Sequence, residues 1–352
     1  MNRGFWDKLP KPIIAMSPMD GVTDAAFRYV VDKYGRPSIL FTEFTSVEGI
    51  AAGAEKLLNA FIYHKTSTPI VGQVFGSTPN DFYKAAFVLS EMGFDGIDIN
   101  MGCPDPHVAK KGGGAALILN PSLAKEIITT TKRATEDWAN GTDIAKIGLS
   151  EKIIDWVKRF VDRGGISVKK VPIPVSVKTR IGYEQIVTES WIENLLETEP
   201  VNISLHGRTL KQMYTGSANW EEIAKAAKIV KKTSTTLLGN GDIKSKADAI
   251  KKISDYGLDG VLIGRATFGA PEIFTGESFS LNKKLNIAIE HCEAFENLTP
   301  ELNFLSVRKH LAWYCKGFEN AVEARIALMQ TNSADEVRDV IKKILNVRTE
   351  PV

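Results

Sequence analysis

Cysteine is scarce in this chain: three residues, Cys103, Cys292 and Cys315, among 352. Their odd number and wide separation exclude a disulfide framework and make no zinc set, so neither an oxidising compartment nor a bound metal is expected. Long apolar runs are also missing. The N-terminal stretch "MNRGFWDKLPKPIIAMSPM" has no core suited to a secretory signal, and no segment approaches a membrane span of about 20 apolar residues. A cytoplasmic protein with no membrane partner is expected. Excess charge of either sign is absent too, with 44 Lys+Arg against 42 Asp+Glu and a formal net charge of +2. That balance permits a polyanionic partner but lacks the strongly basic character of a chain built only to bind one. There is no low-complexity tract and no solenoid repeat.

What is present is a series of short apolar, β-branched runs, each closed by polar or glycine-rich residues and followed by a helix-like segment. The runs are 13–19, 38–44, 70–76, 96–102, 175–180, 202–207, 236–243 and 260–266. Strands this apolar suit a parallel sheet buried on both faces. Between them lie helical patterns: "NDFYKAAFVLSEMG", with Asn80 as its expected cap and Gly93 past its end, and "NWEEIAKAAKIVKKT", capped by Asn219. Eight such units predict an α/β fold, a (β/α)8 TIM barrel. No GxGxxG turn follows the first run, which argues against a doubly wound open sheet.

After residue 280 the apolar runs give way to helical periodicity, so the barrel is expected to be followed by a smaller C-terminal helical domain. The predicted division is 1–278 and 279–352. The connection at 137–172 is extended. It carries seven Lys/Arg against five Asp/Glu and an amphipathic helix in "EKIIDWVKRFVDRGG".

In such a barrel, ligands bind at the C-terminal ends of the strands. The residues closing the runs are Pro18 and Met19, Glu43, Gln73, Asn100 with Cys103, Lys178 with Arg180, His206, Asn240, and Gly264 with Arg265. Each alone has an ordinary structural explanation. Together they set amide, ammonium, imidazole and guanidinium groups on one rim, with too few carboxylates and histidines for a metal. Such donors suit a planar, electron-rich, anionic ligand. "GNGDI" and "IGRA" after the seventh and eighth runs add small residues where barrels of this type bind phosphate.

The segments "SPMDGVTDAAFR", "GQVFGS", "GIDINMGCP", "KKGGGAALI", "VKTRIGYE", "LHGRTLKQMYTG", "GNGDI" and "GRATFGAPEIF" resemble, in this order, the tRNA-dihydrouridine synthases. The resemblance extends to "RKHLAWYCKGF" in the tail. Ser17 stands where the family usually has Ala, and "GAPEIF" where Asn-Pro-Trp is more usual.

The resemblance implies an oxidoreductase that reduces uridines of tRNA, its partner, to 5,6-dihydrouridine, with FMN as cofactor and NADPH as reductant. It implies that Pro18 and Met19 lie along the flavin, that Gln73 and Lys178 bond its ring, and that His206 contacts it. Asn240, Gly241, Gly264 and Arg265 are implied for its phosphate. Asn100 and Arg180 are implied for the uridine, and Cys103 as the acid that protonates C5 after hydride reaches C6. Pro104 would stiffen the Cys103 loop and Gly112–Gly114 would let it close.

A uracil stacked in folded tRNA must be extracted, and the tail is expected to hold the RNA. Helical spacing places Lys309, Trp313 and Lys316 on one face, with Arg308 adjacent. Ten Lys/Arg and ten Asp/Glu over 278–352 make any basic patch local. A monomer is expected. The competing reading is a flavin barrel acting on a free pyrimidine or another small unsaturated substrate.

Overall fold

The apolar runs form eight strands: β1 (Ile13–Met16), β2 (Leu40–Ser46), β3 (Ile70–Phe75), β4 (Gly96–Met101), β5 (Val175–Arg180), β6 (Asn202–His206), β7 (Thr236–Asn240) and β8 (Gly260–Ile263). A computed structural model describes residues 3–213 and 215–346. Tyr214 of the "LHGRTLKQMYTG" segment and the end of the expected C-terminal domain, 347–352, lie outside the described residues. The strands pair in parallel in the order β1-β8-β7-β6-β5-β4-β3-β2. The two end strands meet as well: the Ser38 N–H donates to the Ile14 carbonyl at 2.9 Å and the Met16 N–H to the Ile39 carbonyl at 3.1 Å. The sheet therefore closes as a barrel.

Period-two alternation fills its interior. Ile13, Ala15, Ile39, Phe41, Val71, Leu238 and Leu262 form one buried cluster with Trp6, which comes from the 3-10 turn Gly4–Lys8 ahead of β1. The opposite strand faces pack on the surrounding helices in a second, larger core. Gly260 lies opposite Ile13, where an added Cβ would sit 2.0 Å from the Ile13 carbonyl oxygen. Gly260→Ala is expected to push β8 off β1 and to cost about 1–3 kcal/mol, read as a lowered urea midpoint. An unchanged midpoint would show that this contact is soft.

The helices start and stop for local reasons. Asn219 caps Trp220–Val230 as expected, accepting from the Glu222 N–H. Asn80 does not cap its helix. Thr78 is the N-cap of Pro79–Glu91 and Pro79 takes the first turn, where its missing N–H costs nothing. The extended connection holds Pro121–Ala139, a 3-10 turn at Ile144–Lys146 and the helix Glu151–Gly164, whose Ile153, Ile154 and Val157 are buried on the outer layer.

Beyond the barrel lie Leu281–Leu298, Arg308–Tyr314, Ala321–Leu328 and Ala334–Asn346. These tail helices share a core with Ala26 and Val30 of the barrel helix Ala25–Gly35. Among the described residues, no helix is long and apolar enough to cross a membrane.

Candidate active site

Strand register assembles the predicted rim. Gln73 pairs with Asp98, Asn100 with Lys178, Arg180 with His206, and His206 with Asn240. Every one of these neighbours shares the inward parity of its strand, so their polar groups meet above the apolar layers.

A hydrogen-bonded chain runs through the β3–β4 side. Asp98, fully buried, accepts from Ser176 Oγ at 2.6 Å and from Gln73 Nε2 at 2.6 Å. Gln73 Oε1 accepts from Asn100 Nδ2 at 3.1 Å, and Asn100 Oδ1 accepts the N–H groups of Gly102 and Cys103 at 3.0 and 2.8 Å. Asn100 thus holds the loop that carries Cys103. Arg180 holds the same loop from β5: its Nε donates to the Gly102 carbonyl at 2.6 Å and its Nη1 to the Thr209 carbonyl at 3.2 Å. Sequence reasoning assigns Asn100 and Arg180 to the substrate; their visible work is to position the thiol. Gln73 and Asn100 each keep one amide N–H for a ligand.

Cys103 is 5% exposed. Burial pushes its thiol above the ordinary range; the Asp105 and Asp20 carboxylates add to this, while the Asp105 backbone hydrogen bond and Arg180 oppose it. It is a protonated thiol at neutral pH. The glycines after it also allow close packing. An added Cβ on Gly113 would lie 2.8 Å from the Gly76 carbonyl oxygen, and one on Gly114 3.0 Å from that of Cys103. Gly112 and Gly114 also adopt φ of +83° and +58°. They let the turn pack closely behind the thiol.

Across the mouth stands a group of cations. Burial lowers Lys178 to about 8, with Arg180 adding to the effect and Asp98 opposing it. Among the described residues the Lys178 ammonium makes no hydrogen bond or ion pair. Burial, then Lys178, Arg180, Arg208 and Arg265, hold His206 well below the ordinary imidazole range. Its ring is neutral, and Nε2 accepts from Arg208 Nη1 at 3.4 Å.

The β7–β8 side carries the expected small residues. Gly241 has φ +131°, and a Cβ there would lie 2.5 Å from that of Ala218. Asn240 donates to the Leu262 carbonyl at 3.0 Å. Met19 Sδ lies 3.5 Å from the point a Cβ on Gly264 would take, which joins the segment after Pro18 to the end of β8. Arg265 is exposed and reaches Asp242 at 3.1 Å. Asp242 also accepts from Arg208 at 2.7 Å, a buried arginine that sequence reasoning passed over.

Asp98 was missed too. It had a signal, since it lies two before Asn100 on the same strand face. Glu43 sits at a register shift in β2, where the Thr42 hydroxyl donates to the Glu43 carbonyl at 2.6 Å and accepts the Gln73 N–H at 2.9 Å. Burial, then the Asp24 carboxylate, raise Glu43 to about 7, against Arg28.

The tail places its expected contacts differently. Arg308 bonds the Thr331 carbonyl at 2.6 Å and Asn332 at 2.7 Å, bracing a turn between tail helices. Trp313 stacks on Phe268, with centroids 4.0 Å apart. Lys316 lies beyond the helix end at Tyr314, so the predicted common face of Lys309, Trp313 and Lys316 does not form. Lys309 alone reaches the barrel mouth, its Nζ 3.6 Å from where a Cβ on Gly21 would be. Asp24, His291 and His310 form the one group of three metal-capable side chains among the described residues. Its members are already partnered: His310 with Asp24 at 3.1 Å and His291 with the Tyr314 hydroxyl at 3.2 Å.

The chain that carries this rim is similar to known proteins along nearly its whole length. The family model for dihydrouridine synthase matches residues 14–167 and 155–347. A Staphylococcus aureus (strain COL) protein named "Probable tRNA-dihydrouridine synthase" is 34% identical over 350 residues, covering 97% of this chain and 95% of that one. "Probable tRNA-dihydrouridine synthase 2" of Bacillus subtilis (strain 168) is 33% identical over 350 residues, covering 97% and 96%. With the model spanning both barrel and tail, and relatives alike from end to end, the chain belongs to the dihydrouridine synthase family.

Proposed function

We propose that the protein reduces uridines of tRNA to 5,6-dihydrouridine, using FMN that NADPH reduces. The observation that carries this reading is the arrangement of the mouth. A buried, protonated thiol on a doubly braced loop faces a lysine whose ammonium makes no hydrogen bond or ion pair among the described residues.

The donor set fits FMN. The free N–H of Gln73 and the Lys178 ammonium suit the ring's carbonyl edge, and the segment through Pro18 and Met19 supplies an apolar wall. Neutral His206 contributes a hydrogen bond without added charge. Asn240, Gly241, Gly264 and Arg265, joined by Arg208, suit a phosphate. When bound, the cofactor supplies hydride to C6 of the uracil.

The chain does the rest. Asn100 offers its remaining N–H to the base, Arg180 keeps the loop in place, and Lys178 sets a positive charge beside the ring. Cys103 gives the proton of Sγ to C5, closing the charge that hydride addition leaves on the base. Lys309 meets the RNA at the mouth, and Arg308 supports the tail beside it. The same reading makes the protein a cytoplasmic monomer that needs no metal.

Reduction of a free pyrimidine is the competing reading. Lys309 counts against it, because a small substrate has no use for a tail residue at the barrel mouth. Purified protein given FMN, NADPH and unmodified tRNA is expected to turn yellow and to form dihydrouridine, measured by mass spectrometry. Protein that takes up no flavin would sink the proposal, and reduction of uracil but not tRNA would replace it with the small-substrate reading.

A further inference from the structure

The tail helix Arg308–Tyr314 is fixed against two loops of the barrel mouth. On the β8 side, Trp313 stacks on Phe268, and Gly269 approaches so closely that a Cβ would lie 2.2 Å from the Trp313 carbonyl oxygen. On the β1 side the contact is polar and buried. His310 is 0% exposed, and its Nε2 lies 3.1 Å from Asp24 Oδ2. The other Asp24 oxygen accepts the Phe27 N–H at 2.9 Å and caps the helix Ala25–Gly35. Rings of Phe27, His291 and Trp313 enclose the imidazole, at centroid distances of 5.3, 4.7 and 4.8 Å. The residue before His310 is Lys309, which extends over Gly21 toward Asp20 and Glu43.

We propose that His310 and Asp24 are positioning residues for RNA: their buried pair sets the rotation of the tail helix that holds Lys309 over the mouth. This rests on the tRNA reading above. The helix has seven residues, and its apolar contacts through Val307, Leu311 and Tyr314 are not directional. A slip of one residue turns a helix by about 100°, which would carry Lys309 off the mouth while leaving an apolar face to pack. A hydrogen bond to a fixed cap residue admits one rotation. Buried polar pairs of this kind contribute register more than stability.

The tail has other attachments that survive loss of the pair. Glu290 accepts from the Tyr29 and Tyr34 hydroxyls and pairs with Lys33, and the shared apolar core remains.

The test is a double-mutant cycle on the FMN-loaded full chain, with kcat and KM for tRNA read from dihydrouridine formation. His310→Gln and Lys309→Ala are each expected to raise KM about 10-fold, and the double variant to be no worse than Lys309→Ala alone, because both act through one contact. The rate of flavin reduction by NADPH is expected to be unchanged in His310→Gln. Should that variant fail to fold, Asp24→Asn makes the same test, since asparagine still caps the helix but faces His310 with an amide. Multiplying KM effects, or an unchanged KM in both His310→Gln and Asp24→Asn, would overturn the positioning role. Wild type is run alongside. If it forms no dihydrouridine in tRNA, the function itself falls and the positioning role with it; if it is active, the cycle judges the positioning role alone.

Discussion

Replacing Cys103 by alanine is expected to abolish most uridine turnover while leaving FMN bound and reducible by NADPH. The thiol sits on a loop held from two strands: Asn100 of β4 takes its backbone N–H and Arg180 of β5 takes the preceding carbonyl. Burial keeps the proton on sulfur above the ordinary thiol pKa of about 8.5. Loss of a positioned general acid costs roughly 10²–10⁴-fold in rate. The turnover of C103A on tRNA, followed by mass spectrometry, checks this. Full turnover would remove Cys103 from the chemistry. Because the protonated form is the active one, wild-type turnover is also expected to decline on the alkaline side as the thiol ionises.

Lys178→Gln is expected to slow flavin reduction roughly 10²-fold, the usual cost of losing one preorganised donor at a site of developing charge. Among the described residues its ammonium makes no hydrogen bond or ion pair, and desolvation brings it to about 8. A lysine is charged below its pKa, so its contribution is full at pH 7 and is lost as pH rises through about 8. Wild-type flavin reduction should therefore fall along an alkaline limb, and that limb should be missing in Lys178→Gln. Stopped-flow reduction from pH 6 to 10 makes the comparison. An alkaline limb that persists in the variant would assign it to another group.

The barrel was legible because its strands are buried on both faces, which writes them as unbroken apolar runs. The observed β5 (Val175–Arg180) coincides with its run, and others end earlier because the closing residues, such as Ile243 and Ala266, belong to the turns. The rim was legible for a related reason: period two delivers Gln73, Asn100, Lys178, His206 and Asn240 to one side. What local pattern cannot carry is who holds whom. Asn100 and Arg180 look like substrate ligands in sequence, and their contacts to the Cys103 loop add a bracing role that sequence does not show. The bond from His310 to Asp24 spans 286 residues of chain, and no spacing rule reaches that far. Helix ends failed where a neighbour decides them: Asn80 lost the cap to Thr78 because Pro79 follows it. Lys316 fell outside a helix that stops at Tyr314.

Trp6 and the apolar layers above it stop the barrel at its far end. Among the described residues the barrel is therefore filled at the end opposite the rim. On the proposed function, a nicotinamide and a strand of RNA would both approach one bound ring from the rim and would have to take turns. Such traffic produces double-displacement kinetics, with parallel reciprocal plots and mutual inhibition when either visitor is in excess. An indole at the bottom of the fold would in this way set the order of events at the top.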